Sequence, residues 1–237
     1  MELKFASYNI HKAVGLDGRR DPDRILSVLR EIDADIVALQ EADRRFGRRE
    51  SVLPRDVIEH SHYRAVPLAL RPDSIGWHGN ALLVKKGIEV ATASVVPLPT
   101  LEPRGAIRAD LDAGGRRLRV VGMHLDLSGL RRRQQLRAIL SHVDGCARDG
   151  EGEAPCVMMG DMNEWATRGG SLREFHPHWT VLGCGRSFPT RRPAAQLDRI
   201  VVSACWECVS VGVHHSALSA VASDHLPIWA KLKLPKI

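Results

Sequence analysis

The fold is decided by two apolar runs, LKFASYN at residues 3–9 and DIVALQE at residues 35–41. Each run is typical of a strand and ends in polar residues. Between them, Asp21 and Pro22 supply an N-cap and a first helical residue, and apolar residues at helical spacing follow at 25, 26, 28, 29 and 32. The result is a strand–helix–strand unit. If its strands are parallel neighbours, Asn9 and Glu41 share the carboxyl edge, where open α/β sheets bind ligands.

The rest of the chain continues the alternation of strands and helices. Short strands are predicted in the middle, as an antiparallel meander, at residues 63–68, 80–84, 88–96, 106–111 and 118–124. A helix over residues 130–143 and a buried strand over 155–159 restart the pattern. A helix near residues 170–175 and strands at 196–202, 209–213 and 227–232 complete it. Mixed α and β of this kind predicts a layered sheet sandwich flanked by helices.

Length and composition favour a single domain over residues 1–237, because no tract rich in Gly, Pro or Ser divides the 237 residues. No apolar run approaches the roughly 20 residues of a membrane-spanning helix. The first residues lack the features of a signal peptide, so we expect a cytoplasmic monomer. Five cysteines without a regular framework favour reduced thiols, and the pair Cys205 and Cys208 has no second pair to complete a zinc site.

The charge balance favours anionic partners. Lys and Arg number 34 against 28 Asp and Glu, which gives a net charge of +6 at pH 7. Such a charge promotes approach to nucleic acid, anionic lipid headgroups or phosphorylated metabolites, and does not choose among them. Few aromatic residues lie among the arginine clusters, which weakens the case for a platform that stacks single strands.

Five polar segments stand out because each lies at the end of an apolar strand. They are Tyr8-Asn9-Ile10-His11, Leu39-Gln40-Glu41, Gly122-Met123-His124-Leu125-Asp126, Gly160-Asp161-Met162-Asn163-Glu164 and Ser223-Asp224-His225-Leu226-Pro227. A lone His or Asp at a strand end is more often a satisfied polar group than a catalyst. Together, however, their carboxylate and amide oxygens suit Mg²⁺, and histidines near them transfer protons at neutral pH. This set of groups is typical of a hydrolase.

These segments, in this order, resemble the endonuclease/exonuclease/phosphatase superfamily. The resemblance spans nearly the whole chain and adds Gly-Asn-Ala at residues 79–81 and Leu-Asp-Arg-Ile at residues 197–200. It implies a four-layer α/β-sandwich of the deoxyribonuclease I type, in which two packed mixed β-sheets are flanked by helices and the site lies at one end. It also implies a phosphoesterase that depends on Mg²⁺ or Mn²⁺.

The resemblance also implies residue roles. Glu41 resembles the principal metal ligand, with Asn9 and Asp224 beside it. His225 resembles the histidine that assists the attack of water on phosphorus, and Asp198 the carboxylate that fixes its tautomer. The other implied catalytic residues are His124, which faces the phosphate, Asp161 and Asn163, which position the nucleophile and a phosphoryl oxygen, and Asn80 at the pocket wall.

Some positions depart from the nuclease branch of the superfamily. A nuclease of this type would pair His124 with a glutamate from the preceding hairpin, yet residues 76–80 hold no carboxylate. His11 stands where several relatives have another residue, often acidic, and with Lys12 it is a candidate phosphate contact or a surface pair. Arg104 precedes a strand in a place from which a guanidinium would reach a phosphate.

Four functions remain open on the sequence alone. The leading hypothesis is a metal-dependent hydrolase of a phosphodiester or phosphomonoester. A DNA endonuclease or exonuclease is favoured by the basic charge, although loops that grip a duplex are not recognisable. A phospholipid-headgroup phosphodiesterase is the third, although no apolar loop suited to enter a membrane is evident. A non-catalytic binding module is the last, and retention of the whole polar set argues against it.

Overall fold

The computed structural model describes residues 1–44, 48, 50–68, 73–100, 104–146 and 154–235. Over these residues the strands form two six-stranded sheets. In spatial order, the first sheet consists of β11 (Glu207–Val213), β12 (Ile228–Lys233), β1 (Glu2–Asn9), β2 (Ile36–Gln40), β4 (Ala81–Lys85) and β3 (Tyr63–Ala65). The second consists of β5 (Ile88–Val96), β6 (Gly105–Ala113), β7 (Arg116–His124), β8 (Cys156–Asp161), β10 (Asp198–Ser203) and β9 (Trp179–Val181).

The helices complete four layers. They are α1 (Pro22–Ile32), α2 (Arg55–His60), α3 (Gly129–Cys146) and α4 (Ser219–Ala222), with 3₁₀ turns at His11–Ala13 and Gly170–Glu174. Apolar side chains of α1 pack on one face of the first sheet, and those of α3 pack on the outer face of the second. The largest core lies between the two sheets. The predicted four-layer sandwich is confirmed.

Strand periodicity explains how each sheet serves two cores at once. In β2, Ile36 and Ala38 face the other sheet, whereas Val37 and Leu39 pack with α1. Side chains of a strand alternate between faces, so a fully apolar strand is the expected sequence for a sheet covered on both sides. The strands β7 and β8 follow the same rule, with alternate residues facing α3.

The strand–helix–strand unit forms as predicted. The Asp21 side chain accepts a hydrogen bond of 3.0 Å from the backbone N–H of Arg24, and Pro22 begins α1. Asp33, in the left-handed conformation, ends it. Strands β1 and β2 pair in parallel, with Asn9 opposite Gln40, so Asn9 and Glu41 lie at one sheet edge.

A second parallel pair lies in the other sheet. Strands β7 and β8 are parallel, are linked through α3, and place His124 opposite Asp161. On the far side of β8, the antiparallel strand β10 begins at Asp198, also opposite Asp161. Strand β12 is antiparallel to β1, so residues just before it reach the carboxyl edge of β1. The polar segments of the sequence therefore meet at one end of the sandwich.

The predicted single meander is wrong in one respect. Strands β5, β6 and β7 form an antiparallel meander, but β3 and β4 belong to the other sheet. Apolar alternation reports which residues are buried and not which sheet buries them. The sequence also missed β9 and α2, which have three and six residues and therefore too few for a clear periodicity.

Cys156, Cys184, Cys205 and Cys208 are free thiols, while the side chain of Cys146 lies outside the described part. Within the described residues, no helix has both the length and the apolar character required to cross a bilayer.

Candidate active site

Asp161 lies at the centre of a group of polar side chains, here called the polar cluster, whose other members are Asn9, His124 and His225. Its Oδ2 accepts a hydrogen bond of 3.0 Å from Asn9 Nδ2, which joins the end of β8 to the end of β1 in the other sheet. Nε2 of His124 lies 3.3 Å from the same oxygen and Nε2 of His225 lies 3.7 Å away. Oδ1 accepts the backbone N–H of Asn163 at 2.9 Å. Residues 152 positions apart in sequence are thus brought into contact by the packing of the two sheets.

The surroundings of Asp161 keep its carboxylate charged. Burial alone would raise the pKa of this carboxyl, since the side chain is only 2% exposed. The hydrogen bond to His124 and the positive charges of His225 and His124 outweigh burial and hold the pKa well below its usual value. A buried carboxylate between two imidazoles therefore remains an anion.

His225 is held by a carboxylate on its other side. Its Nδ1 lies 2.9 Å from Oδ2 of Asp198, which also accepts a hydrogen bond from Ser187 Oγ. An ionised carboxylate only accepts, so Nδ1 carries hydrogen and Nε2 faces the cluster. The ring of Phe188 packs against the imidazole with centroids 4.7 Å apart. The orientation and tautomer of His225 are both fixed.

The same neighbours increase the proton affinity of His225. Burial favours the neutral ring, but the charge and hydrogen bond of Asp198, with the charges of Asp161 and Asp224, raise the pKa of His225 to about 10. These interactions therefore favour the protonated imidazole. Added positive charge near the carboxylates would lower that pKa.

Glu41 follows β2 at the same end of the sandwich and contacts the ammonium group of Lys12. Burial raises the pKa of Glu41, but the charges of His124, Lys12 and Arg104 together with the Lys12 hydrogen bond hold it below its usual value. Its side chain remains 22% exposed. The carboxylate is thus charged, reachable from solvent and already in contact with a cation.

Asn9 and Asp224 are connected by backbone and hydroxyl contacts. Ser223 Oγ donates to the carbonyl of Asn9 at 2.7 Å, and the same hydroxyl lies 3.3 Å from Oδ1 of Asp224. The Asn9 amide oxygen accepts the backbone N–H of His11 at 3.2 Å, so that the amide nitrogen points to Asp161. Asp224 is 37% exposed, which leaves carboxylate oxygens open to a ligand.

Backbone strain is concentrated at this end of the molecule. His11, Lys12 and Ala13 have φ values of 44°, 57° and 59°, and Glu41 and Asn163 have φ values of 56° and 50°. Left-handed conformations cost energy for residues with a side chain and persist where the surroundings impose them. The carbonyl of Glu41 accepts the N–H of Lys12 at 3.2 Å, which couples two of these strained segments.

His124 has partners other than the glutamate expected of a nuclease. Besides Asp161, His124 contacts Arg104, whose Nη1 lies 2.9 Å from Nδ1 and also contacts Nε2. Arg104 therefore lies beside the polar cluster, in contact with His124 and within the field of Glu41. His11 lies farther out, with Nδ1 3.1 Å from the carbonyl of Val14 and 3.9 Å from Asp224.

The two remaining predicted amides are differently placed. Asn163 is buried at 8% exposure, and its Nδ2 donates to the carbonyl of Leu125 at 2.9 Å. Asn80 is fully buried, with Nδ2 3.3 Å from the carbonyl of Trp77 and Oδ1 without a hydrogen-bond partner among the described residues. Asn163 therefore ties the β7 and β8 loops together, and Asn80 presents an unsatisfied acceptor.

The sequence missed residues that support this cluster. Ser187 and Phe188, which contact Asp198 and His225, lie in a loop before β10. Lys12, a candidate phosphate contact from the sequence, instead forms an ion pair with Glu41. A serine before Phe-Pro carries no local signal of a partner. Only its position beside Leu226, whose N–H donates to the Ser187 carbonyl at 2.8 Å, brings it to Asp198.

The sequence of residues 6–225 matches the model of the Endonuclease/Exonuclease/phosphatase family. The chain belongs to this family. Its name covers enzymes that hydrolyse phosphoester bonds. No curated protein matches the sequence significantly.

Solved structures of similar fold cover nearly all of this family member. A Bacteroides vulgatus endonuclease/exonuclease/phosphatase is 17% identical, with a TM-score of 0.74 over 99% of this chain and 100% of that chain. The human Nocturnin catalytic domain, solved with a bound sulfate anion, is 18% identical with a TM-score of 0.76 over 99% and 94%. D. rerio TDP2, complexed with a single-strand DNA product, is 16% identical with a TM-score of 0.73 over 98% and 99%. At these identities the likeness establishes the fold alone.

Proposed function

We propose that this protein hydrolyses a phosphodiester or phosphomonoester with the help of Mg²⁺ or Mn²⁺. One observation carries the proposal: the buried Asp161 carboxylate is bonded to Asn9 and lies within 4 Å of two histidines. Buried charged groups are costly, and a protein that only needed stability would gain as much from apolar residues. A cluster of this kind is suited to moving protons and binding an anionic group.

The donor set fits a divalent cation at Glu41, Asn9 and Asp224. All three offer oxygen atoms, as Mg²⁺ prefers, and both carboxylates remain partly exposed to solvent. The contact between Lys12 and Glu41 indicates that the position attracts positive charge. When bound, such a cation would polarise a phosphoryl oxygen and neutralise charge at the reacting phosphate.

Ligand atoms of Asp161, Asp198 and His225 also lie within 4.8 Å of one another. We assign this group to proton transfer instead, because Asp198 and His225 are hydrogen-bonded to each other and almost fully buried.

In the proposed reaction His225 is the general base. Asp198 accepts hydrogen from Nδ1, so Nε2 of the neutral ring takes a proton from water as its oxygen attacks phosphorus. The bond from phosphorus to the leaving oxygen breaks, and the leaving oxygen departs with that electron pair. Asp161, with Asn9 and Asn163 bonded to it, orients the nucleophile, and Asn80 offers a further amide at the wall. His124, with Arg104 beside it, faces the phosphate and stabilises the developing negative charge. His11 is a further candidate phosphate contact.

Hydrolysis of bis(4-nitrophenyl) phosphate and 4-nitrophenyl phosphate, with Mg²⁺, Mn²⁺ or a chelator, tests this function. Replacing His225 with Ala should lower kcat about 10²–10⁴-fold, the usual contribution of general-base catalysis. His214→Ala is a matched control, because His214 forms a similar pair with Glu31 on the surface, with Nε2 2.9 Å from Oε2. Inactivity of the wild type on both substrates with either metal would overturn the proposal.

A further inference from the structure

Three large apolar side chains are exposed beside the candidate active site. Leu127 is 62% exposed, Leu130 68% and Trp165 63%. Leu127 and Leu130 follow the β7 segment that carries His124, and Trp165 follows the β8 segment that carries Asp161. Contrary to the expectation from the sequence, exposed apolar side chains on two loops and on the first turn of α3 do project at this end of the molecule.

The two loops are neighbours in space. Nη1 of Arg132 donates to the carbonyl of Leu127 at 2.6 Å, and Nη2 of the same guanidinium lies 3.4 Å from Glu164 Oε2. Asn163 Nδ2 adds a bond to the carbonyl of Leu125. One guanidinium therefore spans from the backbone at Leu127 to the residue before Trp165, and the loops form one surface.

This surface adjoins the polar cluster around Asp161, which the proposed function makes the catalytic cluster. The rings of Trp165 and Phe188 lie 6.2 Å apart, edge to face, and Phe188 packs on the imidazole of His225. Glu164 anchors the Trp165 loop by accepting the backbone N–H groups of Ala166 at 3.0 Å and Ser171 at 2.8 Å. An apolar group lying on Trp165 is therefore one aromatic ring away from the general base.

The charges around the surface are mainly positive, although Glu174 pairs with Arg133, with Oε1 2.7 Å from Nε. Residues 127–133 and 165–173 contain no Asp or Glu. Besides the buried Arg132, they contain four arginines: Arg131, Arg133, Arg168 and Arg173. Arg133, Arg168 and Arg173 are exposed. We call the three apolar residues and these four arginines the apolar-basic rim.

The composition of the apolar-basic rim favours a lipid surface over a nucleic acid. Leucine side chains cannot stack on bases, and Trp165 is the single exposed aromatic residue of the rim, whereas single-strand binding relies on successive aromatic rings. A Trp with neighbouring leucines and arginines is typical of proteins that rest in the headgroup region of an anionic bilayer. Guanidinium groups form bidentate contacts with phosphates there.

We propose that the apolar-basic rim docks on an anionic phospholipid membrane, with Leu127, Leu130 and Trp165 in the headgroup layer. The docked orientation places the catalytic cluster at the level of lipid phosphates. That the substrate is a phosphoester at this surface rests on the proposed function. The docking itself does not, because it requires no turnover.

Flotation with vesicles of phosphatidylcholine, alone or with roughly 30 mol% phosphatidylserine, tests the docking in the presence of a chelator. We expect the wild type to float with the anionic vesicles. The double variant Leu127→Ser, Trp165→Ser should lower the partition coefficient at least about tenfold, since it loses two apolar side chains that enter the headgroup layer on docking. Arg168→Glu should lower it by at least about fivefold.

Val209→Ser is the matched control, because Val209 is 46% exposed but lies on β11, in the other sheet. This variant should bind the anionic vesicles like the wild type. Absence of wild-type binding, or equal binding by the double variant, would overturn the docking. The docking would also be overturned if the wild type bound a labelled single-stranded oligonucleotide but no vesicles, and if the double variant lost that oligonucleotide binding. Hydrolysis of bis(4-nitrophenyl) phosphate, measured on each variant, separates the two proposals: hydrolysis without flotation removes the docking, and flotation without hydrolysis removes the proposed function.

Discussion

Asp198 controls both the orientation and the proton affinity of His225. It is 1% exposed, accepts hydrogen bonds from His225 and Ser187, and is the main cause of the raised pKa of the imidazole. Because the folded protein holds this proton more tightly than the unfolded chain, the pair stabilises the fold. That stabilisation is fully present below pH 6.5, the ordinary pKa of histidine, and is lost as the pH rises through about 10.

Asp198→Asn should remove this pH-dependent stabilisation. Asparagine can accept the Nδ1 hydrogen but carries no charge, so the pKa of His225 should fall toward its ordinary value. Urea unfolding at a series of pH values should therefore give a difference in free energy between wild type and variant that is largest near pH 6 and shrinks toward pH 10.

Glu31→Gln provides the comparison, because it removes a carboxylate from the exposed His214 pair and should show a much smaller pH-dependent difference. A constant difference between wild type and Asp198→Asn across this range would contradict the assigned interaction.

At this scale the sequence predicts the polar residues but not their contacts. Asn9, Glu41, Asp161 and His225 all follow or precede apolar runs, and the ends of parallel strands meet at one edge. The partners of His124 were not predictable, because Arg104 reaches it from the segment before β6 and only the packing of loops sets that contact. Nor does any local pattern indicate the pairing of Ser187 with Asp198.

The parallel pairing of strands β7 and β8 determines the positions of His124 and Asp161. Gly160 lies opposite Met123 in this pair and has a φ of 157°. A Cβ added at Gly160 would lie 1.8 Å from the carbonyl oxygen of Met123, which is far inside contact distance. The glycine before Asp161 therefore permits the close approach of the two strands at the site.

Gly160→Ala should separate the ends of β7 and β8 and displace Asp161 from Asn9 and His124. We expect a loss of more than about 3 kcal/mol in the free energy of unfolding, measured by urea denaturation, together with loss of the proposed hydrolysis. Gly114→Ala is the control: it also has a positive φ, of 62°, but a Cβ there meets nothing within 4 Å. It should cost about 1 kcal/mol. Equal effects of the two substitutions would refute the steric explanation.

Helices and strands were predicted well where a long apolar face or a cap specifies them. The helix α1 has Asp21, Pro22 and five buried apolar residues at helical spacing, and the sequence places its apolar stretch correctly. The assignment of β3 and β4 to the first sheet was not predictable, because β4 pairs with β2 across more than 40 residues of chain. Long-range pairing of that kind depends on tertiary packing and leaves no local pattern.

Over the whole molecule, the candidate metal ligands come from three segments of one sheet. Asn9 ends β1, Glu41 follows β2 and Asp224 precedes β12, and these strands are adjacent. A cation bound by all three would stabilise only the assembled sheet. At about 100 times its dissociation constant, a ligand adds about 2.7 kcal/mol of stability, which for a protein of this size raises Tm by roughly 5–10 °C.

Thermal unfolding with Mn²⁺ and with a chelator measures this shift. Glu41→Gln should abolish most of it, because a charged ligand is lost, whereas Glu59→Gln, at an exposed position on α2, should leave it unchanged. If Asp198→Asn abolished the shift and Glu41→Gln did not, the metal would bind instead at the group formed by Asp161, Asp198 and His225.

The position of β12 has a consequence for the newly synthesised chain. This strand lies between β11 and β1, although every other strand in the described part of the chain precedes it in the sequence. Asp224 and His225, which lie immediately before it, take up their positions only when β12 pairs with β1 and Ser223 bonds to Asn9. A ribosome-bound chain that lacks residues 223–233 therefore has neither the proposed general base nor the candidate metal ligand Asp224, so under the proposed function hydrolysis begins only after translation has passed this segment.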